Sequence, residues 1–215
     1  KSDINCTLYG VDIFSKQSTF ETARKMVPRA KIKKIKPYEC FDFGEKFDII
    51  LANQVFEHIE KLDNIYHHLQ EIMRPNGIIF CGFPTKEIII EPHLKIPLIH
   101  RLNKESKTLE FFIKFFSFLK IGQIYKKGFN KKKYIEKRIN LCKKDVFYHS
   151  YDDHLKLLGR YFSTVNEIND LWLNHIRKDR SYSNKIKYLI RLIPHKTLRS
   201  FLMRRIFGMY LLVTK

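Results

Sequence analysis

Apolar and polar positions along the chain switch between short unbroken runs and stretches of helical period. Phe47-Asp48-Ile49-Ile50-Leu51-Ala52 holds a β-branched run without alternation. Such a run predicts a strand buried on both faces of a parallel sheet. Leu62, Ile65, Tyr66, Leu69, Ile72 and Met73 then recur at helical spacing, with Asp63 placed as N-cap. Arg74-Pro75-Asn76-Gly77 stops that helix and turns the chain into a second apolar run, Ile78 to Phe83. The result is a strand–helix–strand unit, with Asn53, Gln54, Glu57 and His58 at its first corner. In an open α/β sheet, the edge past the strands' carboxyl ends is where ligands sit.

The same reading extends in both directions. Cys6 to Ile13 predicts a strand that carries the carboxylate of Asp12 near its end. Ser18-Thr19-Phe20-Glu21 fits a capping box before a helix whose apolar face is Phe20, Ala23 and Val27 and which Pro28 closes. Lys31 to Ile35 predicts another strand. Glu87 to Leu102, interrupted by Pro92 and Pro97, predicts a shaped loop. Leu109, Phe112, Ile113, Phe116 and Leu119 predict a helix, and Phe111, Phe115 and Phe118 widen its apolar face almost all round. Ser150 to Gly159 predicts a capped helix with a glycine stop, and Tyr161 to Ile168 a strand. Residues 170–206 read as helical and basic, with Leu189, Leu192 and Ile193 on a partly buried face. Gly208 to Lys215 predicts a final strand. Together these elements predict one domain over residues 1–215, with a basic helical insertion at 101–147 and a basic helical segment at 170–207.

Length and composition permit a full core: 215 residues, of which 44% are hydrophobic. Charge changes the picture more. The formal net charge is +19, and it divides as +1 over residues 1–100 and +18 over residues 101–215. Between Lys114 and Lys144 stand eleven Lys/Arg and one acid, Glu136. Three uses fit residues 109–144: a lid with a solvated lysine face, a peripheral contact with a membrane surface, and a nucleic-acid groove. A lysine-rich composition also arises without any partner. Cys6, Cys40, Cys81 and Cys142 lie far apart without metal-like spacing, so no metal site is expected and the thiols read as reduced. No apolar run reaches membrane-spanning length, because Lys114 and Lys120 interrupt the Phe-rich segment. The expectation is a cytoplasmic protein, with any membrane contact at the inner face.

One family resemblance organises these observations. Phe47-Asp48-Ile49-Ile50-Leu51-Ala52-Asn53-Gln54-Val55-Phe56-Glu57-His58-Ile59, a helix, then Arg74-Pro75-Asn76-Gly77-Ile78-Ile79, resembles the fourth and fifth strands of class I S-adenosylmethionine-dependent methyltransferases of the type 11, 12 and 23 groups. The resemblance implies a Rossmann-like, mainly parallel α/β sheet with an antiparallel C-terminal strand and a basic helical insertion. It implies S-adenosyl-L-methionine as cofactor. Gly10-Val11-Asp12-Ile13 is similar to the family's second strand, where Asp12, with Ile13 beside it, accepts hydrogen bonds from both ribose hydroxyls. Asn53 and Gln54 are implied at the cofactor's amino-acid end, and Glu57 and His58 beside it or bracing the loop. A packed imidazole is the other reading of His58.

Two departures stand against the pattern. Only five residues precede Cys6 and none is glycine, so the family's first strand and glycine-rich loop are absent. Truncation is the expectation, and loss of cofactor binding the alternative. The acidic position that holds adenine falls near Lys36, with Glu39 and Tyr38 as substitutes. The Glu91-Pro92-His93 and Pro97-Leu98-Ile99-His100 pattern is similar to members from bacterial surface-polysaccharide gene clusters. This implies Glu91 and His93 as hydroxyl-binding groups or general base, and His100 and Arg101 at the substrate. A loop held by salt bridges and ring packing is the other reading.

The reaction implied is methyl transfer to a sugar hydroxyl, on a small molecule, a glycan or a lipid-linked intermediate. An RNA methyltransferase is the alternative that the charge supports, although Asn53-Gln54-Val55-Phe56 is not the Asn/Asp-Pro-Pro-aromatic motif of amino-group methylation. A non-catalytic scaffold is the other. The central expectation is that the strand ends bearing Asp12 and Asn53 grip one nucleoside.

Overall fold

In the computed structural model, residues 6–12, 17–36, 39–119, 121–122, 130–178, 195–206 and 208–215 are described. They fall into two units, residues 1–45 and 46–215. Ile13, Tyr38 and the cluster Leu189, Leu192 and Ile193 lie outside the described residues, as do parts of both basic segments.

In the first unit, β1 (Tyr9–Asp12) pairs in parallel with β2 (Lys31–Lys34), with Asp12 opposite Lys34. The helix α1 (Gln17–Met26) connects them. This is the strand–helix–strand unit that the apolar pattern predicts. The capping box does not form: Ser18 is already inside the helix and its carbonyl accepts from Thr22 Oγ1 at 2.7 Å. Glu21 instead accepts from Gln17 Nε2, one helical turn earlier. Glu39 accepts from the Lys36 backbone N–H at 2.7 Å, so it holds the turn after β2.

In the second unit, β3 (Phe47–Asn53), β4 (Met73–Phe83), β5 (Thr164–Glu167) and β6 (Met209–Thr214) form one sheet in the order β3-β4-β6-β5. β3 and β4 are parallel, and β6 runs antiparallel to both β4 and β5. The antiparallel C-terminal strand is therefore where the family resemblance implies it. The fold is mixed α/β and Rossmann-like. The turn at Arg74 to Gly77 appears as an irregularity within β4: Phe47 faces Met73, the ladder resumes at Ile49 with Ile78, and Asn76 takes a left-handed φ of 62°.

The expectation that β3 is buried on both faces fails. Ile49 is 64% and Leu51 74% exposed, whereas Ala52 is buried. Ile49 and Leu51, two residues apart, lie on the same face of β3, and among the described residues β3 pairs with β4 alone, at the edge of its sheet. An unbroken apolar run cannot by itself tell a central strand from such an edge.

Two helices cover the other face. α2 (Leu62–Ile72) and α5 (Tyr151–Tyr161) pack together over a core of Phe56, Tyr66, Met73 and Phe83. Phe56 meets Tyr66 and Phe83 edge to face, each at 5.1 Å. Asp63 is not the N-cap of α2: the helix starts one residue earlier, and Asp63 accepts from the Tyr161 hydroxyl at 3.0 Å, tying α2 to α5. Lys215 closes the other end of α2 by donating to the carbonyls of Gln70 and Met73. Ser150 caps α5 as expected, in a capping box with Asp153, but Gly159 does not stop the helix, which runs on to Tyr161.

The basic insertion contributes α3 (Lys107–Phe118) and α4 (Lys131–Asn140), followed by a π-turn over Leu141–Asp145. Leu109 and Ile113 from α3 join Leu94, Ile96, Ile99 and Cys142 in a second core cluster. This insertion is thus packed on the loop after β4. The second basic segment falls on α6 (Asn169–Lys178) and α7 (Lys196–Ile206), whose Leu173 and Met203 pack with Tyr210 of β6. Gly208 leaves α7 with φ 104°, and a Cβ there would lie 2.3 Å from the Phe83 carbonyl. No helix among the described residues is long and apolar enough to cross a membrane.

Candidate functional site

The carboxyl ends of β3 and β4 converge on one corner. Asn53 pairs with Gly82, and the Gly82 carbonyl accepts from the Gln54 N–H at 2.7 Å. Gln54 takes a left-handed φ of 56°, a conformation that a side chain resists and that loops near ligands retain. Gly82 is required for close approach, because a Cβ there would lie 2.4 Å from the Tyr210 ring. The chain then turns through a 3₁₀ helix, Phe56–His58, which directs Phe56 and Glu57 inward and leaves His58 half-exposed.

Glu57 is 1% exposed, and neither of its carboxylate oxygens has a hydrogen-bond partner. Burial pushes its carboxyl up to about 7. His58 donates from Nδ1 to the Asp145 carbonyl at 2.5 Å, since a carbonyl can only accept. Its Nε2 therefore lies on the far side of the ring, 4.0 Å from Glu57 Oε1.

The loop after β4 supplies the opposite wall. An isolated bridge between Ile90 and Pro97 folds it back on itself, and Leu98 turns with φ 53°. Glu91 is completely buried. Its Oε1 accepts from His93 Nδ1 at 2.7 Å and from the Tyr148 hydroxyl at 2.6 Å, and its Oε2 accepts from the Leu94 N–H. Burial alone would raise this carboxyl, but the three donors together hold it below the usual range. The bond to Glu91 in turn raises His93. The His93 and His58 rings meet at 5.1 Å, edge to face. Burial drives the Tyr148 phenol far above its ordinary range, so it stays a donor.

The sequence-predicted residues thus separate into groups. Asn53, Gln54, Glu57, His58, Glu91 and His93 all come to the corner formed by β3, β4 and the following loop. Glu91 is buried with both oxygens accepting hydrogen bonds, one of them from His93 Nδ1. Arg101 is exposed, and its Nε and Nη2 donate to the carbonyls of Lys86, Glu87 and Ile88. His100 accompanies it, with Nε2 at 3.1 Å from the Lys86 carbonyl and its ring against Tyr148. Asp12 stands exposed at the end of β1 in the other unit, and its backbone carbonyl accepts from the Ile35 N–H.

Sequence reasoning missed the segment Asp145 to His149. The Phe147 N–H donates to the Glu57 carbonyl at 2.6 Å, His149 Nε2 lies 3.0 Å from the Ile59 carbonyl, and the Lys86 N–H donates to the His149 carbonyl. Lys104 donates to the Val146 carbonyl and lies over the Phe147 ring. This segment therefore clamps the 3₁₀ turn to the loop and brings in Tyr148. Its only signal in the sequence was an aromatic pair, Phe147-Tyr148, just before a helix cap.

Comparison with known proteins bears on the chemistry. Residues 2–79 match a family model described as a methyltransferase domain. No curated protein matches the chain in sequence. Among solved structures, PKMT2 from Rickettsia typhi in complex with AdoHcy is similar over 97% of this chain and 44% of its own, at 15% identity and a TM-score of 0.50. An S-adenosylmethionine-dependent methyltransferase from Mesorhizobium loti is similar over 97% of this chain and 80% of its own, at 8% identity and a TM-score of 0.52. The chain spans less than half of the Rickettsia protein's length. At these identities the likeness is one of fold.

Proposed function

We propose that the chain is an S-adenosylmethionine-dependent methyltransferase that acts on a hydroxyl acceptor. The observation that carries this reading is the methyltransferase-domain match over residues 2–79, which spans Asp12 and the Asn53 to His58 corner. In this reading Asp12 accepts hydrogen bonds from the cofactor's ribose, and Asn53 and Gln54 hold its amino-acid end. The sulfonium already activates the methyl group, so the protein contributes mainly alignment. The oxygen–carbon bond forms as the sulfur–carbon bond breaks, and the hydroxyl proton leaves. His93 is the group at hand to take it. The Glu91 carboxylate holds Nδ1 and leaves Nε2 free to face the acceptor.

A sugar hydroxyl, on a free sugar or a lipid-linked glycan, is the acceptor this reading favours. The corner offers imidazoles and a carboxyl, which suit hydroxyls. The direct test is transfer of a radiolabelled methyl group from S-adenosylmethionine to a panel of hydroxylated acceptors. His93→Gln is expected to lower turnover at least ~100-fold at unchanged cofactor affinity, within the usual range for loss of a general base. Equal turnover by His93→Gln, or labelling confined to RNA, would remove the hydroxyl reading.

A further inference from the structure

Glu57, His58 and His93 offer ligand atoms that all lie within 4.8 Å of one another. Three features of this cluster are those of a coordination site rather than of a packed core. The Glu57 carboxylate is buried and aimed into the cluster with no hydrogen-bond partner on either oxygen. A buried carboxylate without a donor calls for a cation or a proton. Both imidazoles are tied back through Nδ1, His58 to the Asp145 carbonyl and His93 to the Glu91 carboxylate. With Nδ1 engaged, Nε2 is the ligand atom left on each ring, and that of His58 stands 4.0 Å from Glu57 Oε1. Histidine ligands characteristically donate their other N–H to a carbonyl or a carboxylate in this way, which fixes tautomer and ring direction. Finally, the clamp from Asp145 to His149 and the buried Glu91 hold the donors from behind.

We infer that Glu57, His58 and His93 form a binding site for one divalent cation, with two imidazole nitrogens and a carboxylate oxygen as ligands. Two nitrogens favour Mn²⁺, Co²⁺ or Zn²⁺ over Mg²⁺ or Ca²⁺, which prefer oxygen donors. Ligation at roughly 2.1 Å requires Glu57 and His58 to close by about 1 Å. The half-exposed His58 ring has room for that movement. Three protein ligands leave coordination positions open. On the methyl-transfer reading above, on which this step rests, the acceptor hydroxyl would take one of them. The cation would then lower the hydroxyl's pKa, its proton would pass to water, and the alkoxide oxygen would attack the methyl carbon as the sulfur–carbon bond breaks. With the cation bound His93 is a ligand, and the base role proposed above belongs to the metal-free protein. The sequence expectation of no metal site weighed cysteine spacing only, and no cysteine takes part.

The test needs neither cofactor nor acceptor. Chelator-treated protein is titrated with Co²⁺, read by visible absorption and calorimetry. One Co²⁺ per chain is expected. Glu57→Gln and His93→Gln should each weaken binding at least tenfold, while His67→Ala, which removes an exposed histidine of α2, should not change it. If Glu57→Gln fails to fold, as judged by circular dichroism, His58→Asn carries the same expectation. Failure to bind Co²⁺, or equal binding by all variants, would overturn the site. Cobalt binding without any S-adenosylmethionine binding would keep the site and remove the methyl-transfer reading; the opposite pair of results would do the reverse.

Discussion

Tyr148 shows how a single residue can govern a site without facing it. Its hydroxyl donates to Glu91 Oε1, the oxygen that also accepts from His93. Removing that donor leaves Glu91 with fewer hydrogen bonds in buried surroundings, at a cost of about 1 kcal/mol. Tyr148→Phe is therefore expected to lower turnover roughly fivefold while cofactor affinity stays level. Steady-state kinetics on both substrates would check this; a change in cofactor affinity alone would argue that Tyr148 belongs to the cofactor pocket. Glu91 and His93 were legible as candidates because the Glu-Pro-His pattern in the loop after β4 carries a family resemblance. Their division of labour was not. Nothing in a linear pattern shows that Glu91 is saturated by a tyrosine 57 positions away.

At the scale of elements, the interface between α2 and α5 carries a pH dependence. His154 of α5 hydrogen-bonds through Nδ1 to the Tyr66 hydroxyl of α2 at 2.6 Å and packs on the Phe83 ring. Burial, with His149 adding to it and Asp153 opposing it, lowers His154 to about 3. The unfolded chain protonates this imidazole near pH 6.5, whereas the folded one does so only near pH 3. The stability it contributes is thus complete above pH 6.5 and lost as pH falls below that value. Between pH 7.5 and 5 the loss is about 2 kcal/mol. Thermal melts should show this fall in the wild type and a shallower one in His154→Gln. Equal slopes would mean that His154 is hydrated in solution.

The elements themselves were largely legible, because period and punctuation survive in a single sequence. Phe47 to Asn53, Leu62 to Ile72 and the last strand all fall where their patterns place them. Misreadings gathered where local signals compete with tertiary contacts. Asp63 was a plausible cap but bonds across to Tyr161, and Gly159 was a plausible stop inside a helix that packing extends. The edge position of β3 depends on strand order, which no window of sequence contains.

For the molecule as a whole, charge and exposed aromatics coincide on the insertion. Phe111, Phe115 and Phe118 are exposed on α3, while Leu109 and Ile113 of the same helix are buried. The Phe111 and Phe115 rings lie parallel at 6.1 Å, and Lys114 between them pairs with Glu110. We propose that this face makes a peripheral contact with anionic membrane surfaces, as amphipathic basic helices do. Replacing Phe111, Phe115 and Phe118 by Ser should leave the melting temperature within a few degrees and abolish co-sedimentation with phosphatidylserine vesicles. Unchanged sedimentation would reduce the face to a solvated lid.

The central proposal is that this chain binds S-adenosylmethionine, with Asp12 among the groups that hold it. Calorimetric titration with S-adenosylhomocysteine, the product that outlasts turnover, tests it most directly. One site per chain is predicted for the wild type, with affinity lowered at least tenfold in Asp12→Ala through loss of about 1.5–3 kcal/mol of charged hydrogen bonding. No detectable binding by the wild type, or equal affinity in Asp12→Ala, would contradict the account.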